Sequence, residues 1–248
     1  MDLIETYGIL QLALLGSAAF LAALVRGFSG FGSALVYLPI AAQVLSPFQA
    51  ITTIVIFDLI GPLPLVRQAS RDCDVGDLVR LLAGLILALP LGLLTLTLVA
   101  PEVFRFTVSF VALFMLASLI SGFRYRGQLS APLIFATGGM SGFLQGVAGL
   151  PGPPVILLYM ASALSAQAIR ANTFLFLLMT DVVLLPALAL FGKLDPSAII
   201  LGLALIIPTL AGSVLGARIF RPGYERMYRG VAYAIIAASA LSGLPLWG

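Results

Sequence analysis

The chain has no histidine, one cysteine (Cys73), one tryptophan and few charges: 13 Lys and Arg with 10 Asp and Glu make up 9% of its 248 residues. Without histidine the commonest general base and metal ligand is missing, so Ser-His chemistry and metal catalysis are poor readings. No catalytic residue, metal or other cofactor is expected. A lone cysteine rules out an intramolecular disulfide. Charge at 9%, against about 25% in an ordinary soluble domain, leaves too few polar groups to wet a globular surface. No stretch is long enough to fold beside the rest as a soluble domain, so residues 1–248 are expected to form a single transmembrane domain.

What is abundant is apolar: 61% of residues are hydrophobic and the mean hydropathy is +1.14. Apolar segments run at 9–25, 31–45, 50–66, 79–99, 103–122, 131–147, 153–164, 170–191, 196–217 and 228–246. A crossing helix takes about 20 such residues, with about 17 as a lower limit, so 31–45 and 153–164 fall short and each either crosses or re-enters. The expected fold is an all-α polytopic membrane protein of about 10 transmembrane or half-membrane helices. The N-terminus, MDLIETYG, carries Asp2 and Glu5 rather than basic residues and reads as the start of a first membrane helix, not a signal peptide.

Both short segments follow an interruption. From Arg26 to Pro39 the chain reads RGFSGFGSALVYLP, and from Gly142 to Tyr159 it reads GFLQGVAGLPGPPVILLY. Glycine and proline at this density break helices that lipid alone would keep whole. Irregular backbone at membrane depth is tolerated only where protein buries it or it lines a cavity, and two matched interruptions point to a transport site. The alternative is close helix packing through small residues.

Basic residues sort by side. If the segments alternate, Arg67, Arg71, Arg80, Arg124, Arg126, Arg170, Arg218, Arg221, Arg226 and Arg229 share one side, and Arg105 and Lys193 lie near the other. The positive-inside rule makes the first side cytoplasmic and puts both termini outside, which in an inner membrane is the periplasm. Topology also accounts for the pI of about 9.3, so no nucleic-acid partner is expected.

Landmarks pair across the halves: Gly27 with Gly142, Asp58 with Asp181, Gly92 with Gly212, Pro101 with Pro222 and Arg105 with Arg226. Residues 1–126 and 127–248 thus read as two repeats of five segments. An odd number of segments gives them opposite orientations, with broken helices at the glycine motifs.

The motifs suit an anion. Helices restarting after Gly30–Ser33 and after Pro151–Pro154 aim N–H groups and partial positive charge at a substrate, with the backbone at Gly30, Gly32, Gly146, Gly149 and Gly152 nearby. Ser29, Ser33 and Gln145 add neutral donors. Arg26 is either a substrate charge at mid-depth or a cytoplasmic anchor. Thr53, next to Thr52, and Asn172, next to Thr173, either line a shared cavity or cap their helices. Asp58 and Asp181 each sit inside an apolar segment, where an ionisable group costs about 2.5–3.5 kcal/mol on insertion scales. Each is a candidate proton-coupling residue, with a structural hydrogen bond as the alternative. Phe104, Phe106, Phe110 and Phe114 read as lipid-facing or packing residues.

The run Arg26-Gly27-Phe28-Ser29-Gly30-Phe31-Gly32, the second motif at 142–149 with Pro151 to Pro154 behind it, and the duplicated apolar body resemble the sulfite exporter family TauE/SafE. The resemblance covers nearly the whole chain and implies a bacterial inner-membrane permease exporting small sulfur-containing anions such as sulfite or sulfoacetate. Ser33 and the prolines of GLPGPP stand where denser glycine is expected, which bears on the substrate. One protease resemblance fails, since GFSG mimics rhomboid-type enzymes, which need histidine; the paired aspartates leave intramembrane aspartyl proteases as a minor alternative, though Asp181 follows Leu178-Met179-Thr180 rather than their G-x-G. The expectation is a non-enzymatic secondary carrier working by alternating access. Its partners are a small anion, protons and the bilayer, and a homo-oligomer is left open. A non-transporting scaffold and a passive anion channel are the alternatives.

Overall fold

The computed structural model describes residues 3–29, 32–60, 66–121, 129–160, 164–219 and 225–244. Every regular element among them is a helix. In chain order these are α1 (Leu3–Tyr7), α2 (Ile9–Ser29), α3 (Ser33–Ala41), α4 (Pro47–Ile60), α5 (Val66–Asp72), α6 (Val75–Leu98) and α7 (Pro101–Ser121). There follow α8 (Ala131–Ala148), α9 (Gly152–Met160), α10 (Ala166–Leu190), α11 (Pro196–Ala204), α12 (Ile206–Ile219) and α13 (Glu225–Gly243). Among the described residues five stretches are long and apolar enough to cross a membrane: Ile9–Gly27, Val75–Leu98, Pro101–Ser121, Gln167–Leu190 and Pro196–Ile219.

Local chemistry sets the boundaries. Asp74 caps α6 by accepting from the Asp77 N–H at 3.0 Å, and Ser165 caps α10 from Ala168 at 3.2 Å. The last apolar span breaks at Leu205 because Pro208 offers no N–H and its ring crowds the carbonyl of Ala204. The two short segments become α3 and α9, each of nine residues. At 1.5 Å per residue each is about 13 Å long, less than half of a bilayer core.

The chain divides into two compact units, and neither is one half of the sequence. The first comprises residues 1–61, 100–116 and 194–248; the second comprises 62–99 and 117–193. In the first, α2 packs along α12, α3 meets α13 and α4 meets α11. A Cβ on Gly27 would lie 2.8 Å from the Ser213 carbonyl oxygen and 3.1 Å from Gly216 Cα, so only glycine allows this approach. In the second, α6 and α8 form the most intimate pair, and α10 packs on α5, α6 and α9. Leu81, Leu85, Ile134, Val155, Tyr159 and Phe176 form a buried cluster there. On α7, Phe106, Phe110 and Phe114 are exposed while Phe104 is buried, dividing the four phenylalanines between an outward stripe and the packed face.

Candidate functional site

In the first unit the glycine motif places one charge on another. Gly32, at φ 96°, occupies the left-handed region that glycine adopts without strain, and α3 restarts at Ser33. Arg26 lies in the last turn of α2. Its Nη1 donates to Asp58 Oδ1 at 2.7 Å, and Ser33 Oγ donates to Asp58 Oδ2 at 2.8 Å. Both carboxylate oxygens are therefore engaged by residues of the motif. The pair is mostly shielded, with side-chain exposures of 25% for Arg26 and 15% for Asp58. Around α4, the described residues of α3, α11 and α12 carry only two other ionisable side chains: Tyr37 on α3, and Arg218 at the exposed end of α12.

One turn beyond Ser33, fully buried Tyr37 meets Thr53 of α4, hydroxyl to hydroxyl at 2.9 Å. Thr53 Oγ1 gives its own proton to the Ala50 carbonyl at 2.9 Å, so Tyr37 is the donor. The Tyr37 ring stands edge-on to Phe57 with centroids 4.9 Å apart. Thr52 is buried next to Thr53, and its hydroxyl has no hydrogen-bond partner among the described residues.

In the second unit the glycines serve contact. A Cβ on Gly142 would sit 2.7 Å from Leu85 Cα, and one on Gly146 would sit 2.5 Å from the Leu93 nitrogen. Gly146 therefore presses its backbone against α6. Gly149, at φ 69°, ends α8: its N–H bonds the Gln145 carbonyl at 3.0 Å and that of Leu150 bonds Leu144 at 3.3 Å. Then α9 begins at Gly152 with Pro153 and Pro154 in its first turn. A Cβ on Gly152 would meet only side-chain atoms, at 3.4 Å and beyond.

The same unit holds several buried polar groups. Ser141 and Gln145, one turn apart on α8, are buried, and Ser141 Oγ and Gln145 Oε1 have no hydrogen-bond partner among the described residues. Asn172 of α10 is fully buried and accepts the Asp74 backbone N–H at 2.8 Å. The buried Tyr159 hydroxyl lies beside Asn172. Asp181 is half-buried at mid-α10 and is engaged there.

The structure thus brings Arg26, Ser33 and Asp58 together in one unit, with Thr53 one turn away. Gln145, Gly146, Gly149, Gly152, Asn172 and Asp181 belong to the other. Gly30 and the Ser29 side chain lie outside the described residues. Reading the motifs alone misses Tyr37 and Tyr159. The available signal is their spacing: each sits in the short helix after its glycine motif, 122 residues apart, beside the 123 that separate the two aspartates. Outside the spans, burial, with the Asp74 and Asp77 carboxylates, pushes the Cys73 thiol up and away from thiolate chemistry.

Compared with known proteins, the family model described as Sulfite exporter TauE/SafE matches residues 15–243. No curated protein and no solved structure matches the chain.

Proposed function

This chain belongs to the sulfite exporter TauE/SafE family, and from that premise we propose that it is a proton-coupled secondary exporter of small sulfur-containing anions, sulfite or an organosulfonate. The family is one of membrane exporters of sulfite and related anions, and the five membrane-length stretches accord with a multi-pass protein. The finer reading is ours. It rests on the Arg26–Asp58–Ser33 arrangement.

A guanidinium offers a planar fork of donors that suits a carboxylate or a sulfur oxyanion alike. Here a carboxylate holds it at 2.7 Å. An arriving anion competes with Asp58 for Arg26, and a proton on Asp58 removes the charge that holds the arginine. Anion and proton therefore favour each other's binding and load together. A divalent anion moving with one proton carries one net negative charge, which an inside-negative potential drives outward at about 2.3 kcal/mol per 100 mV.

Alternating access of two inverted repeats is supported by the exchange of helices between the halves. The first long helix of repeat 1, α2, packs on α12 of repeat 2, and that of repeat 2, α8, packs on α6 of repeat 1. With the basic loops inside, both termini are periplasmic in an inner membrane. The glycine seams also fit a scaffold that transports nothing, so the test is flux. Labelled sulfite is loaded into proteoliposomes under an imposed pH gradient, with sulfoacetate, sulfate and acetate as competitors. Flux that follows the gradient and is blocked by sulfur oxyanions is expected; no flux of any of these anions through correctly inserted protein sinks the carrier reading.

A further inference from the structure

We infer that Tyr37 and Thr53 are positioning residues for Asp58, their bond setting the register in which α3 presents Ser33 to that carboxylate. The consequence for transport rests on the function proposed above; the positioning itself does not.

Two side-chain hydrogen bonds cross from α3 to α4: Ser33 to Asp58 at 2.8 Å and Tyr37 to Thr53 at 2.9 Å. The donors stand four residues apart on α3 and the acceptors five apart on α4, in the opposite chain order. The bonds are therefore rungs between antiparallel helices, about one turn apart. Helix α3 packs chiefly on α2 and α13 and only lightly on α4, so apolar contact does little to choose which turn of α4 it faces. The turn before α3 does not choose it either, since a Cβ on Gly32 would meet only side-chain atoms, at 3.6 Å and beyond.

Tyr37 supplies that choice. Its side chain is fully buried, its hydroxyl donates to Thr53, and Thr53 is committed in turn to the Ala50 carbonyl. Sliding α3 by one residue, about 1.5 Å, would strand a buried donor, which folded proteins rarely tolerate. The ring adds a second hold, edge-on to Phe57, the residue before Asp58. The second unit has a similar pair, with buried Tyr159 of the short helix α9 beside Asn172 of the long helix that follows.

A proton on Asp58 acts on one of these ties and not the other. Arg26 holds Asp58 by charge, whereas the Tyr37–Thr53 bond joins two neutral hydroxyls. Among the described residues around α4, α2 brings Arg26, α3 brings Tyr37, α11 brings no ionisable group and α12 only Arg218, at its exposed end. A proton that frees Arg26 thus leaves α3 fixed on α4, with Ser33 still within reach of the acid.

The test is a double-mutant cycle on the Tm of the full chain in detergent, pairing Tyr37→Phe with Asp58→Asn. Tyr37→Phe strands no donor, because Thr53 keeps its bond to Ala50, so the variant should fold. The Tm loss caused by Asp58→Asn is expected to be about a third smaller in the Tyr37→Phe background, since coupled residues are not additive. Thr53→Val should give the same coupling, and Thr53→Ser, which keeps the bond, should restore the wild-type response. Losses that simply add in both cycles overturn the proposal. In the flux assay, loosening Ser33 takes a donor from the ionised carboxylate. Tyr37→Phe should therefore move the pH of half-maximal sulfite flux up by about 0.5, roughly threefold in proton affinity. An unmoved profile beside a lowered Tm makes Tyr37 a packing residue only and overturns the proposal as well. If wild type moves no sulfite, the transport reading fails and the Tm cycle alone decides the positioning role.

Discussion

Gly27, like Gly142 and Gly146, lets two backbones touch, but only in the first motif is the turn, at Gly32, one beside which a guanidinium, a hydroxyl and a carboxylate converge. In the sequence pairing of Gly27 with Gly142 and Asp58 with Asp181, Arg26 stands opposite Ser141, so only the first motif has an arginine beside it. Similar glycine spacing thus supports two kinds of physics. Where a charge stands beside the motif a polar cluster accompanies the seam, and where neutral small residues stand beside it the seam stands without one.

Removing the charge is the sharpest way to break this contrast. Arg26→Gln should reduce sulfite flux about 100-fold, equivalent to about 2.7 kcal/mol, while leaving the protein folded; Ser141→Ala, read in the same flux assay, should have a far smaller effect. If both lose flux equally, the asymmetry between the motifs has no functional meaning. Asp58→Asn comes next. The neutral amide mimics the protonated acid, so flux should persist but stop responding to an imposed pH gradient, and unchanged coupling in both Asp58→Asn and Asp181→Asn would end the proton-coupling proposal.

The seam side of the comparison is tested by stability. Gly142→Ala and Gly146→Ala force a methyl into backbone and should cost about 1–3 kcal/mol, seen as a lower Tm in detergent. Gly152→Ala, whose Cβ meets only flexible side chains, should be close to neutral. Removing one hydroxyl beside the charged site by Tyr37→Phe should cost about 1 kcal/mol. The smallest effect belongs to Asp195. Its burial opposes the charge, but hydrogen bonds from Gln49, from the Ser197 side chain and from the Ser197 and Ala198 backbone outweigh it and hold its carboxyl below the ordinary value. That contribution is complete above the unfolded carboxyl's pKa and is lost as pH falls through the folded one. Melting curves of wild type and Asp195→Asn should therefore converge only in acid.

Much of this was legible before any coordinates. The ten apolar segments correspond to α2, α3, α4, α6, α7, α8, α9, α10, the α11–α12 pair and α13, because hydropathy and helix-breaking residues act locally. The shortness of α3 and α9 was visible for the same reason. The pairing of Arg26 with Asp58 was not, since 32 residues separate them and the motif alone left Arg26 as either a substrate charge or an anchor. The role of Gly146 was equally hidden: a glycine placed for its N–H and one placed for its missing Cβ look identical in a sequence.

Composition, segment length and charge bias by themselves determined that the chain is an all-α protein suited to a membrane, because these are sums over neighbouring residues. The tertiary structure alone decided which helices share a unit, which glycines are seams, and which arginine meets an acid. Those outcomes depend on contacts between residues far apart in the chain, and no local rule of hydropathy or propensity encodes them.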